Sequence, residues 1–462
     1  MRGRPAARAS AAEDAALSHT SLEQARHDVE SEYRLRTPRS RRLFDEARGV
    51  VAGGVTRATS FWRPYPTVVD RGHGCRLTDV DGNELLDFNG NFTAALWGND
   101  PPFLVAAIRE AAPRLIGAGA ATPEIQEWAR LLRDLYPTVD LVRFCCSGTE
   151  AVMFACRAAR AATGRPKILK HRGSYHGTTD PMEADMPTSQ RGISPHAGDD
   201  VIAADFWDFE GCARILREHA HELAAVLVNP IWFAAGDGIL AELAALARRH
   251  DVLVVSDEVM SFRYGPGGGQ ALFGFEADVS VFGKSIGGGG LAVGAFGGRE
   301  RILRLFSPLD NPSPVHHSGT FVANPITVAA GIAALRRATP ELFAGLNHLG
   351  ERLRDGFRRA FERHGVRAEL RGAGSLVLMG LGKLGLRFGV SDPGDAAEVK
   401  RLFGLALLNR GLFTPADAFI WAISEPMTEI EIDQAITIVE ETLATFRPVI
   451  EGAAPELLLP VA

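Results

Sequence analysis

The stretch "VLVVSDEVMSF", residues 252–262, runs four aliphatic residues and a serine into an aspartate and a glutamate. An apolar run of this kind, without alternation, is what a strand buried on both faces requires. Such strands belong to parallel sheets covered by helices. Asp257 then falls at the carboxyl end of the strand, where open α/β sheets place their ligands. A carboxylate there could hold a proton on a cationic ring nitrogen. Taken alone, Asp257 is equally an ordinary helix N-cap or turn aspartate.

Outward from this stretch the pattern repeats. "DLVRFCC" (140–146), "KILKH" (167–171), "LAAVLV" (223–228), "VSVFG" (279–283) and "AVGAFGG" (292–298) read as strands. "TEAVMFACRAARAAT" (149–163) and "LAELAALARRH" (240–250) read as helices between them. The alternation predicts an α/β fold whose large domain is a mostly parallel, helix-covered sheet. Residues 64–88 read as an antiparallel meander turning at Asp81-Gly82. From residue 339 a long amphipathic helix, short strands and a closing helix follow, the last opened by a capping box of Thr428 and Glu431. The expected organisation is a flexible tail over 1–30, a segment over 31–105 contributing to a small domain, a large domain over 106–338, and the rest of the small domain over 339–462. The smaller α+β domain is thus built from both chain ends.

The 462 residues are 46% hydrophobic and 23% charged, as in soluble globular proteins. A net charge of -6 offers no basic footprint for nucleic acid. No apolar run reaches the roughly 18 residues of a membrane span. Five cysteines (Cys75, Cys145, Cys146, Cys156 and Cys212) are odd in number and lack a CxxC spacing. They argue against a disulfide scaffold or a metal site and suit a reducing compartment, so the expected location is cytoplasmic. The N-terminal "MRGRPAARASAAEDAALS" lacks the apolar core of a secretory signal and reads as a frayed tail.

Among 50 basic residues only five are lysines, and one of them, Lys284, stands in "SVFGKSIGGGGLAVG" (280–294) between an apolar run and four glycines. Desolvation there lowers an amine's pKa and frees it as a nucleophile. The glycines at 287–290 read as room for a cofactor and a partner subunit. The other reading of Lys284 is a strand-end lysine that snorkels to solvent. In "CCSGTEA", Ser147, Gly148 and Thr149 open a helix whose free N–H groups suit a phosphate, although plain N-capping is also open. In "GSYHGTTD", Tyr175 or His176 could stack on a flat heteroaromatic ligand or simply pack in the core.

The order is what makes these four informative: phosphate cradle, stacking aromatic, strand-end aspartate, lysine. The constellation matches a pyridoxal phosphate site, with a Schiff-base lysine, an aspartate for the pyridinium nitrogen and a helix N-terminus for the phosphate. No Walker motif competes with it, and the glycines after Lys284 form no dinucleotide fingerprint.

The motifs "SGTEA", "YHG", "DEVM", "FGKSIGGG" and "SGTFVANP" (318–325) stand in this order in a chain that resembles the class III aminotransferases of fold type I, from residue 41 to residue 443. The likeness is to the branch of glutamate-1-semialdehyde aminomutase and the β-amino-acid transaminases. The resemblance implies that Lys284 forms the Schiff base and shuttles a proton, and that Asp257 bonds the ring nitrogen. Val259 would lie beneath the ring and Tyr175 or His176 over it, with Ser147, Gly148 and Thr149 on the phosphate. Thr320 would reach the cofactor of a neighbouring subunit, which makes a homodimer the functional unit.

Arg57, in "AGGVTRATSF", stands where this branch binds a substrate carboxylate, and Met260 stands where many class III transaminases have glutamine. Asn229 replaces a glutamate, Asn99 replaces a common histidine, and the loop "TPADAFIWAIS" (414–424) is shorter than the aminomutase's. Arg57 with the complete cofactor set implies a transaminase of a β- or γ-amino acid or related amino or keto compound, while Met260 resembles the aminomutase branch. An intramolecular aminomutase, an epimerase or decarboxylase on the same cofactor, and a catalytically dead binding relative are the alternatives.

Overall fold

The computed structural model describes residues 21–186, 190–233, 236–309, 313–382, 394–414 and 420–460. Val69–His73 (β1), Arg76–Asp79 (β2) and Glu84–Asp87 (β3) form the antiparallel meander. Its second turn carries Gly82 at φ 90°, a conformation that glycine adopts without strain.

Seven strands follow: Leu141–Cys145 (β4), Lys167–His171 (β5), Val201–Ala204 (β6), Leu223–Val228 (β7), Leu253–Asp257 (β8), Val279–Gly283 (β9) and Gly294–Gly298 (β10). They form one sheet in the order β4-β10-β9-β8-β7-β5-β6. Strands β6, β5, β7, β8 and β9 are mutually parallel, and β10 is antiparallel to both β9 and β4. Every residue of β7, β8, β9 and β10 is buried, which is why these segments read as unbroken apolar runs. Edge strand β6, only four residues long and half-buried, carries no such run and is absent from the sequence reading. Helix Gly148–Thr163 packs on β9 and β10, and helix Ile239–Arg249 on β7 and β8.

Ala368–Arg371 (β11), Leu376–Leu381 (β12) and Ile420–Ala422 (β14) make a three-stranded antiparallel sheet. Leu412–Phe413 (β13) instead joins the meander, parallel to β3, with Leu412 opposite Leu86. Helices Pro340–Arg363 and Glu429–Ala453 pack together closely: a Cβ on Gly356 would lie 2.2 Å from Ile436 Cδ1. The capping box at Thr428 and Glu431 is formed.

Two boundaries differ from expectation. The tail expected over 1–30 gives way at Ser21, whose side chain caps helix Leu22–Arg36. Tyr33 of that helix is buried and donates to the Tyr65 carbonyl at 2.9 Å, and Arg26 pairs with Glu398 at 2.7 Å. These long-range contacts, invisible in local composition, hold residues 22–30 in place. Residues 1–20 lie outside the described residues. The break expected at 105/106 falls inside helix Pro102–Ala111, which packs on helix Pro325–Arg336. Among the described residues no helix is long and apolar enough to cross a membrane.

Candidate active site

Strands β4, β5, β8 and β9 run in one direction and end on the same edge of the sheet. The four motifs follow from those ends, and glycines let them touch. A Cβ on Gly148 would lie 3.1 Å from Val259 Cγ2, and one on Gly283 3.4 Å from Val259 Cγ1. At Gly177, with φ 88°, a Cβ would come 2.5 Å from Thr149 Oγ1. So "SGT", "YHG", "DEV" and "FGK" are in van der Waals contact, although they are scattered along the chain.

Asp257 closes β8 and is buried. Its Oδ1 accepts from the Val259 N–H at 3.1 Å, and its Oδ2 lies 2.8 Å from His176 Nδ1. A carboxylate oxygen accepts, so the imidazole donates from Nδ1. Burial pushes the His176 pKa below the ordinary histidine value, against the pull of Asp257. His176 is therefore a brace behind Asp257, and the motif's exposed ring is Tyr175, 41% accessible.

Lys284 follows β9 with left-handed backbone, φ 52°. Its Nζ donates to Thr93 Oγ1 at 3.1 Å. Burial lowers the amine's pKa from 10.5 to about 7, while Asp257 pulls it up and the Arg263 guanidinium pushes it further down. Ser147 caps helix Gly148–Thr163 by accepting from the Glu150 N–H at 3.1 Å. The N–H groups of Gly148 and Thr149 stand at that helix's positive end.

Arg57 is exposed; its Nη1 donates to Asn91 Oδ1 at 3.3 Å, and its guanidinium lies 4.9 Å from the centre of the Phe92 ring. Thr320 is exposed, and among the described residues no hydrogen bond ties it to the other candidates. Asn229 donates to the Tyr175 carbonyl at 3.3 Å, and Asn99 to Asp87 at 3.3 Å. Residues 415–419 of the short loop lie outside the described residues.

Gly287, Gly288 and Gly289, after Lys284, pack against their own chain. A Cβ on Gly289, with φ 89°, would lie 2.3 Å from the Ala94 carbonyl oxygen, and one on Gly287 2.6 Å from Val293 Cγ1. At Gly287, Gly288 and Gly289 the room expected for a cofactor and a partner is taken by this chain's own packing, whereas Gly290 is exposed with nothing within 4 Å of a Cβ built on it.

Several residues escaped the sequence reading. Thr93 and Asn91 lie in "GNFTAALWG", where neither a helix nor a strand period points to them. Glu258 is fully buried and accepts from Ser256 Oγ at 2.7 Å and from the Gly269 N–H at 2.8 Å. Arg263, 1% exposed, donates to Ser375 Oγ at 3.1 Å and to the Ile423 carbonyl, and no carboxylate pairs with it among the described residues. Glu258 lies inside the aspartate motif and Arg263 shortly after it, yet only the fold reveals their partners.

An amine of lowered pKa, a braced buried carboxylate, a glycine-opened helix N-terminus and an exposed aromatic ring suit a phosphorylated aromatic aldehyde. The class-III aminotransferase profile matches residues 60–384. A glutamate-1-semialdehyde 2,1-aminomutase from Sorangium cellulosum is 35% identical, the alignment covering 88% of this chain and 97% of that protein. An ω-transaminase from Sphaerobacter thermophilus superposes with a TM-score of 0.81 at 35% identity, over 88% of this chain and 97% of its own. A β-phenylalanine aminotransferase from Variovorax paradoxus superposes with a TM-score of 0.85 at 29% identity, over 96% of this chain and 100% of its own. The chain belongs to the class III aminotransferases, pyridoxal-phosphate-dependent enzymes of fold type I. Its cofactor is pyridoxal 5'-phosphate.

Proposed function

We propose that the protein is an aminotransferase that moves an amino group between a carboxylate-bearing amino compound, of β- or γ-amino acid type, and a keto or aldehyde acceptor. One observation carries this reading. The turn Gly90–Thr93 contacts Arg57 through Asn91 and Phe92, and Lys284 through Thr93. A substrate whose carboxylate is gripped by Arg57 therefore has its amine held on the side of Lys284. The guanidinium fork suits a carboxylate. The names of the transaminase neighbours point the same way.

Pyridoxal phosphate supplies an aldehyde that condenses with amines and a ring that stabilises charge on the adjacent carbon. In this reading Lys284 holds the cofactor and moves a proton at Nζ, for which a pKa near neutrality is suited. Asp257, oriented by His176, holds the proton of the ring nitrogen. Ser147, Gly148 and Thr149 take the phosphate, Val259 supports one ring face and Tyr175 the other. Thr320 serves the neighbouring subunit of a homodimer, and the enzyme works in the cytoplasm.

The test mixes holoenzyme with β-, γ- and α-amino acids and follows the cofactor's absorbance as it accepts the amino group. Arg57→Ala should raise KM for carboxylate donors severalfold and leave the cofactor spectrum unchanged. If no carboxylate-bearing donor ever converts the cofactor, the transaminase reading fails. Met260 and the aminomutase relative favour a second reading, intramolecular amino transfer. Product formed without any keto acceptor would select it.

A further inference from the structure

Residues 90–93 form a run of left-handed backbone, with φ 53° at Gly90, 50° at Asn91, 53° at Phe92 and 73° at Thr93. Only the first is glycine, and a β-branched residue in this region is a genuine outlier. Such outliers persist where the surroundings over-determine them and cluster at functional sites. Here the surroundings are the Lys284 loop. Lys284 Nζ donates to Thr93 Oγ1 at 3.1 Å, Ser285 Oγ to the Ala94 carbonyl at 3.0 Å, and Asn91 Nδ2 to the Gly289 carbonyl at 3.0 Å. Thr93 is 2% exposed, and Lys284 itself is left-handed. Both partners of the lysine–threonine bond thus sit on backbone that their side chains disfavour.

We propose that Thr93 is a positioning residue whose hydroxyl holds the Lys284 amine in place for covalent capture of the cofactor. The inference rests on Lys284 being the capturing lysine. In capture the amine nitrogen bonds the aldehyde carbon, gives up two hydrogens, and the aldehyde oxygen leaves with them as water. A free four-carbon lysine stem samples many rotamers, and a fixed amine meets the carbon already oriented. Asp257 and Arg263 act on the amine's charge, whereas Thr93, which is uncharged, acts on its location.

The test strips the full-length protein of cofactor and adds back pyridoxal phosphate. Tryptophan quenching reads non-covalent binding, and the absorbance shift reads capture, with borohydride trapping to locate the modified lysine. Thr93→Val keeps the β-branched shape and removes the hydroxyl. It should bind in the first phase as the wild type does and capture about tenfold more slowly, the effect of one lost orienting hydrogen bond. Thr93→Ser should restore the rate, and Thr93→Ala, which relieves the crowding, should resemble Thr93→Val and replaces it if that variant does not fold. Capture at the wild-type rate in the hydroxyl-free variants, equal slowing of both phases, or failure of serine to rescue would each overturn the proposal. Lys284→Ala separates the two readings: continued capture there sinks the assignment of Lys284. Its loss, alongside normal capture without the Thr93 hydroxyl, sinks only the role of Thr93.

Discussion

The half-buried Lys284 amine, with a pKa of about 7, loses its proton in a range where an ordinary lysine keeps it. Capture of cofactor by the stripped protein should therefore rise as pH passes through about 7 and level off well below 10.5. The same shift enters stability. Between these two values the unfolded chain binds the proton that the folded chain has released, so the lysine's contribution to stability rises with pH. The unfolding temperature of the stripped wild type should climb toward that of Lys284→Met over this window. A constant difference between the two proteins would show an unshifted amine. At this scale the sequence is eloquent where chemistry and strand ends coincide, as at Asp257 and Lys284. It is silent about Thr93, because nothing in "GNFTAALWG" announces a left-handed run. His176 was legible as a member of the site, but its use as a brace behind Asp257 depends on which ring faces solvent.

Between elements, the loop after β9 is fitted to the segment before helix Pro102–Ala111 with almost no clearance. Gly289→Ala would put a methyl 2.3 Å from the Ala94 carbonyl oxygen at φ 89°. The expected cost is about 1–3 kcal/mol of stability, with weaker cofactor binding because Lys284 begins the same loop. Thermal melts and cofactor titration of this variant check both effects, and an unchanged melt would mean that the loop yields freely. The doubly buried strands were legible because burial on both faces writes an unbroken apolar run. Strand β6 was not, since an edge strand of four residues needs no such run. The glycine run shows the limit of local reading: small residues signal a close approach but do not say what approaches.

Across the whole molecule, Arg263 fastens the large sheet's side to the small domain through Ser375 and the Ile423 carbonyl. Its charge also weighs on Lys284. Arg263→Met should lower the unfolding temperature and move the pH midpoint of cofactor capture upward, because a repelling cation is gone. A midpoint that stays put while the melt falls would limit Arg263 to fastening. The placement of these domains was legible only as two regions of different pattern. What joins the two chain ends within the small domain is the pairing of β3 with β13. On the ribosome, this pairing imposes a waiting time. The meander is made early, but its partner emerges only after the whole seven-stranded sheet has been translated. Until then the free edge of β3 can pair with foreign strands. Chains interrupted before residue 412 should carry a sound sheet beside an unfinished edge, and aggregate through it.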